Sequence, residues 1–222
     1  MYTKYLIIIF SITFYPLFGQ LRMELEVINS VASINIYNDS ENNYVFPLDT
    51  NHLRPYEADC HNFSDQELEF PNMSLMVNIE KADNIKEDYT VGYYKVEDKF
   101  DPLIKEINIK RSNLKKEIQK WKKKNNIANY DLALTNYNII KNLIYLKSKE
   151  KVSFKIKLDF YNITNQELIF YNYILDKELK YKLSLSLCEF DELENYFTID
   201  QKQKLKNYKL FKGSIQSNKI QL

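Results

Sequence analysis

The sequence predicts a mainly β protein, a β-sandwich with a helical insertion and a short C-terminal helix, and three observations carry that class. Val152, Phe154, Ile156, Leu158 and Phe160 alternate with mostly Ser and Lys, and Leu179, Tyr181, Leu183, Leu185 and Leu187 repeat the pattern; period two marks a half-buried strand. Between such stretches the period changes, because Leu114, Ile118 and Trp121 follow at spacings of four and three and so form one apolar helical stripe. Finally, 222 residues with 45% hydrophobic content can bury one sizeable core.

The chain opens with Met1 to Gly19, where Lys4 precedes a run from Leu6 to Phe14 and Pro16 breaks it before the small Gly19. That apolar run is short of the roughly 20 residues that a bilayer-spanning helix needs. A signal peptide cleaved between Gly19 and Gln20 is therefore the expectation. No cysteine adjoins that junction to carry a lipid anchor, and no later stretch is apolar enough to span a membrane. The mature chain, residues 20–222, is expected to be one exported domain, periplasmic or extracellular.

Leu21, Met23, Leu25 and Val27 alternate with charged residues in a first strand that ends at Asn29 and Ser30, and Ile34 and Ile36 mark a second. Asp39 to Asn43 has turn composition; Tyr44 to Phe46 is extended up to Pro47, which lacks an N–H and places that strand at an edge or ends it. From Asp49 to Asn72 periodicity is lost, and a long loop is predicted. Loops beyond about 12–15 residues are uncommon in compact domains unless they bind something, are tied down or are disordered, so this one is the first candidate for function. Met73, Leu75, Val77 and Ile79 resume the alternation, with Thr90 to Val96 and Leu103 to Ile109 as weaker strands. Ser112 or Asn113 can cap a helix, and Tyr130 to Lys141 forms a second, so a helical insertion is placed at about 111–142. Asn162 to Asp176 is ambiguous between strand and loop. Thr198 to Gln201 has capping-box spacing for a short helix to about Lys206, and two short strands around Gly213 and Ser217 to Asn218 close the chain.

The 28 lysines against 3 arginines and the scarcity of glycine resemble the coding bias of an AT-rich genome. Net charge is +1, with basic and acidic residues interspersed along the chain, so nucleic acid is not an expected partner. Asp49, His52, Asp59, Cys60, His61 and Asp65 gather imidazole, thiol and carboxylate groups in one segment, the donor types that zinc prefers. Their spacing matches no established ligand pattern, so a solvated polar loop is the expectation and no metal or cofactor is assigned. Cys60 beside His52 or His61 could supply a nucleophile and its base. Alternatively, export makes Cys60 and Cys188 candidates for a disulfide. Nucleophile-elbow, phosphate-loop and His-Glu-x-x-His signatures are absent. The acids Asp191, Glu192 and Glu194 read as a solvated turn, and the Asn-x-Ser/Thr triplets at Asn38, Asn62, Asn72 and Asn162 are near chance for this much asparagine.

Ile34 to Ser40 leading to Tyr44-Val-Phe46, with Leu146 to Glu150 leading to Phe154 to Leu158, resembles bacterial immunoglobulin-like sandwich domains. In those, an Asn-containing hairpin opens the domain and a Leu-x-Pro-x-Glu turn precedes an alternating strand. Here Ser148 stands at the Pro position and Lys149 where Gly is common. The Phe-Gly-Gln end of the leader also resembles uncharacterised exported proteins of flavobacteria. The resemblance carries over no activity; the absence of catalytic signatures, joined to a sandwich fold whose loops commonly carry binding, makes an exported, non-enzymatic module that binds an envelope or extracellular protein the expectation, with the 49–72 loop and the helical insertion as contact surfaces. The alternatives are a secreted metal- or thiol-dependent hydrolase using Asp59, Cys60 and His61, or an inhibitor that inserts the loop into a protease cleft.

Overall fold

The computed structural model describes residues 21–56, 73–95, 101–163, 169–189 and 191–222. Strand outweighs helix, 42% against 27%, and the strands form several sheets of which none closes on itself.

β1 (Leu21–Ile28) and β2 (Val31–Asn38) form a hairpin, and β8 (Lys151–Lys157) joins β2 on its other side, antiparallel throughout. Asn29 and Ser30 both take positive φ, +50° and +60°, as a two-residue turn must to match the strand twist. The alternation seen in sequence sets the face: Leu21, Met23, Leu25, Ile34, Ile36 and Ile156 point into the core and their neighbours outward.

A second sheet has the order β12 (Gly213–Gln216), β10 (Tyr181–Glu189), β5 (Ser74–Lys81) and β4 (Asp49–Pro55), with β13 (Ile220–Gln221) also on β10. β5 is buried on both faces except at its last residue, so Asn78 and Glu80 are enclosed beside Leu75, Val77 and Ile79. Asn78 Nδ2 donates to Ser186 Oγ at 2.9 Å, and Glu80 receives Lys219 Nζ at 2.5 Å, which satisfies these enclosed polar groups.

A third sheet sets β3 (Tyr44–Pro47) between β7 (Leu143–Leu146) and β11 (Lys209–Leu210), and β6 (Thr90–Tyr93) pairs with β9 (Ile169–Asn172) in a separate ribbon. β3 ends at its proline, as expected. One hydrophobic cluster joins residues of β1, β2, β3, β4, β5, β7, β8 and β10 with Tyr173 and Phe211.

The segments that carry the sequence resemblance lock together. Buried Asn38 donates from Nδ2 to the carbonyls of Asn42 (2.6 Å) and Lys147 (2.9 Å), and its backbone carbonyl accepts from Lys149 N at 3.0 Å. Lys149 has φ +61°, the left-handed conformation that explains why glycine suits this position.

Three expectations need correction. Residues 49–55 are not loop but β4, parallel to β5; the ladder jumps from the pair Asp49 and Ser74 to Leu53 and Leu75, and this irregularity erased the alternation. Parallel neighbours also require a long crossover, which accounts for the separation of β4 and β5 in sequence. Residues 103–109 are helical, in α1 (Pro102–Lys124), so the helical insertion begins ahead of 111. Asp101 caps it by accepting from Leu103 N, and Pro102 follows at the first turn, whereas β-branched Ile104, Ile107 and Ile109 had suggested a strand. The C-terminal segment holds three short strands, not two.

α2 (Tyr130–Lys141) packs on α1 through Ile118, Ile127 and Ala133. It also reaches the sheets, because Ile139 clusters with Met73, Leu193 and Phe197. α3 (Ile199–Lys204) follows a 3-10 turn at Asp191–Tyr196 and has the capping box foreseen between Thr198 and Gln201.

Candidate functional site

Of the chemistry-bearing residues singled out in sequence, the described residues bring two together. Asp49 begins β4 with its side chain 7% exposed, and half-exposed His52 approaches it through Nδ1 at 2.7 Å from Oδ2. Asp49 Oδ1 accepts the Asn51 N–H at 2.8 Å. This is an Asx-type turn: the carboxylate gathers donors from residues two and three positions on and holds the β4 irregularity in shape. Burial pushes the Asp49 carboxyl up, but the hydrogen bonds from the His52 ring and the Asn51 N–H outweigh it and hold the group below its ordinary value. The Asp49 hydrogen bond raises His52, opposed in part by burial.

Asp59, Cys60, His61 and Asp65 lie outside the described residues, as do the leader and the sequence triplets at Asn62 and Asn72. Among the described residues no group of three His, Cys, Asp or Glu side chains is placed to hold a metal. Cys188 is buried near the end of β10 and is not a free thiol. Glu192 and Glu194 are exposed, with Lys212 Nζ 3.8 Å from Glu194. Asn38 is buried and held on three sides, so it presents no acceptor for glycosylation.

The ribbon of β6 and β9 was not foreseen as a site. Gly92 opposes Phe170 in the ladder, and the Phe170 ring lies over it: a Cβ on Gly92 would fall 2.3 Å from Phe170 Cζ. The ring continues into Tyr94, centroids 5.1 Å apart, and Asn162 Nδ2 donates to the Tyr94 hydroxyl at 3.0 Å. Large side chains around this ribbon face solvent: Tyr93 is 70% exposed, Tyr161 69% and Ile174 69%, with Val91 and Tyr94 partly so. Strong tyrosine usage throughout the chain masked them in sequence, since tyrosine at strand spacing reads first as core.

The ribbon is anchored inward by a file of tyrosines. Tyr89 meets Tyr171 edge-on at 5.4 Å and Tyr173 at 6.4 Å. Tyr173 is fully buried; its hydroxyl donates to Val77 O at 2.9 Å and accepts from Tyr56 N at 3.1 Å, and burial pushes it up to about 12. Lys86 Nζ sits 3.2 Å from the centre of the Tyr56 ring. Tyr173 thus ties the ribbon to the point where the described chain leaves β4. The exposed tyrosines of the ribbon therefore stand above buried aromatic contacts that lead to that exit.

The helical insertion departs from the sequence expectation in its electrostatics. The interspersion of charge fails along one stretch of the chain, because the 23 consecutive residues of α1 hold Lys105, Lys110, Arg111, Lys115, Lys116, Lys120 and Lys122 to Lys124. No family model matches the chain, and no curated protein or solved structure does so either.

Proposed function

We propose that the protein is an exported, non-enzymatic binding module on an immunoglobulin-like sandwich, and that it engages another envelope or extracellular protein through the β6 and β9 ribbon and the chain following Tyr56. The observation that carries this reading is the solvent exposure of Tyr93, Tyr94, Tyr161 and Ile174 on and beside the ribbon. Tyrosine is enriched among the few residues that dominate protein interfaces, and its two-torsion side chain loses little freedom on binding. The ribbon's rigid base of Tyr89, Tyr171 and Tyr173 favours such preorganisation. The leader at Met1 to Gly19 supports export. The Asn38 and Lys149 turn supports the immunoglobulin-like assignment, because it sets a positive-φ residue where the resembled domains use glycine. Pairing of Cys60 with Cys188 belongs to the same proposal, as it would tie the 57–72 segment to the β10 end of the central sheet.

The test is crosslinked capture from native envelope and medium fractions with residues 20–222, beside a Tyr93→Ser, Tyr161→Ser double variant of unchanged melting temperature. A partner held by the first and lost by the second supports ribbon-mediated binding. Identical captures by both would overturn it.

A further inference from the structure

The 23 residues of α1 hold nine of the 31 basic residues and two of the 30 acidic ones, so the helix carries +7 and the rest of the chain −6. A general lysine bias would spread such charge over the whole surface. Both helix acids are already engaged: Glu106 accepts Lys110 Nζ at 2.8 Å, and Glu117 accepts the Tyr137 hydroxyl at 2.8 Å.

Placement around the helix sharpens the asymmetry. Ile107 and Ile118 are the buried positions of α1. At about 100° per residue, the side diametrically opposite them carries Lys105, Ile109, Ser112, Lys116, Lys120 and Lys123, all exposed. None of these four lysines forms an ion pair with another described residue. The stripe runs straight for about 27 Å at 1.5 Å per residue, and Ile109, 53% exposed, stands among the ammonium groups.

We infer that this face of α1 is a docking surface for an anionic phospholipid bilayer, on which the helix lies flat with lysine Nζ groups at lipid phosphates and Ile109 at the acyl boundary. Charge complementarity selects a polyanion. The stripe has no guanidinium forks for bidentate phosphate contacts and no aromatic faces for stacking bases, the devices by which proteins grip nucleic acids. Flexible point charges in one plane with an apolar side chain between them fit a planar, diffusely charged surface. The surface is independent of the ribbon, so the two can act together: α1 holds the protein at a membrane while the ribbon engages its partner.

The experiment is co-sedimentation of residues 20–222 with vesicles of phosphatidylcholine alone or of phosphatidylcholine mixed with phosphatidylglycerol. Binding to the mixed vesicles alone is expected, with release on raising salt from about 0.15 M to 1 M as the Debye length shrinks from about 8 Å to 3 Å. Changing Lys105, Lys116, Lys120 and Lys123 together to Gln should weaken binding by at least about tenfold, with an unchanged melting temperature because all four are exposed. Changing Lys155, Lys177, Lys180 and Lys204, equally exposed but elsewhere, should leave binding within about twofold. Equal losses from the two quadruple variants, no preference for the anionic vesicles, or tighter binding to duplex DNA at the same ionic strength would each overturn the inference.

Discussion

Asn136 and Gln201 exchange side-chain hydrogen bonds in both directions: Asn136 Nδ2 donates to Gln201 Oε1 at 2.7 Å, and Gln201 Nε2 donates to Asn136 Oδ1 at 3.0 Å. Asn136 also accepts from Trp121 Nε1 at 2.8 Å and donates to Tyr196 O at 2.6 Å, while Gln201 Oε1 takes the Thr198 N–H at 2.8 Å. One buried amide pair therefore joins α1, α2, the 3-10 turn and α3. Asn136→Leu would take from the enclosed Gln201 Nε2 and Trp121 Nε1 their acceptor and from the Tyr196 carbonyl its 2.6 Å donor, at a cost of about 2–4 kcal/mol. Denaturant unfolding checks this, and a change under about 0.5 kcal/mol would contradict it.

The Asp49 and His52 pair should give stability a defined pH window. Asp49 lies below its ordinary 3.8, so its contribution is complete above that value and is lost as pH falls through its lowered folded pKa. His52 lies above its ordinary 6.5, so its contribution is complete below 6.5 and is lost as pH rises through its raised folded pKa. The stability difference between wild type and His52→Ala is thus largest between these two values and shrinks on both sides. Because His52 is half exposed, the peak difference is about 0.5–1 kcal/mol. A difference that grew steadily towards pH 9 would contradict the assignment.

Gly92→Ala should disturb the ribbon more than the fold. The added Cβ meets the far end of the Phe170 ring, which can swing aside, so the expected loss in stability is about 1 kcal/mol. Tyr94, packed on that ring, moves with it. Thermal melting measures the first effect and tyrosine near-ultraviolet dichroism the second. A stability loss above about 3 kcal/mol would mean that the Phe170 ring is fixed by the core.

Thiol titration of unfolded, unreduced protein should find no free cysteine, since Cys188 is not a free thiol and Cys60 is the other cysteine of the chain. Reduction should then cost about 2–4 kcal/mol, the usual effect of opening a long crosslinked loop. Two free thiols would contradict the pairing.

What was legible in sequence follows the physics of one-sided burial. β1, β2 and β8 alternate because one face of each meets the core, β10 because its enclosed second face carries Ser184 and Ser186 bonded to Gln216 and Asn78, and Thr198 with Gln201 announces α3 by capping chemistry alone. Where a strand departs from that condition the signal fails. β4 was missed because its ladder shifts between Asp49 and Leu53, leaving Asn51 and His52 outward beside each other. The start of α1 was missed because Ile104, Ile107 and Ile109 carry strand-like side chains, although Asp101 and Pro102 stood there as a start signal. His52 was legible as a candidate, but its partner was recognisable only in space. The ribbon and the Asn136 pair depend on contacts between residues far apart in the chain, as from Trp121 to Asn136 or Asn162 to Tyr94, and no local period encodes those.

The central claim, that the β6 and β9 ribbon is the binding surface, is tested most directly by titrating the captured partner against wild type and Tyr93→Ser. Tyr93 is 70% exposed and belongs to no hydrophobic cluster among the described residues, so the melting temperature should hold. The account predicts at least about tenfold weaker affinity, the effect of losing one dominant aromatic. Equal affinity of the two proteins would contradict it.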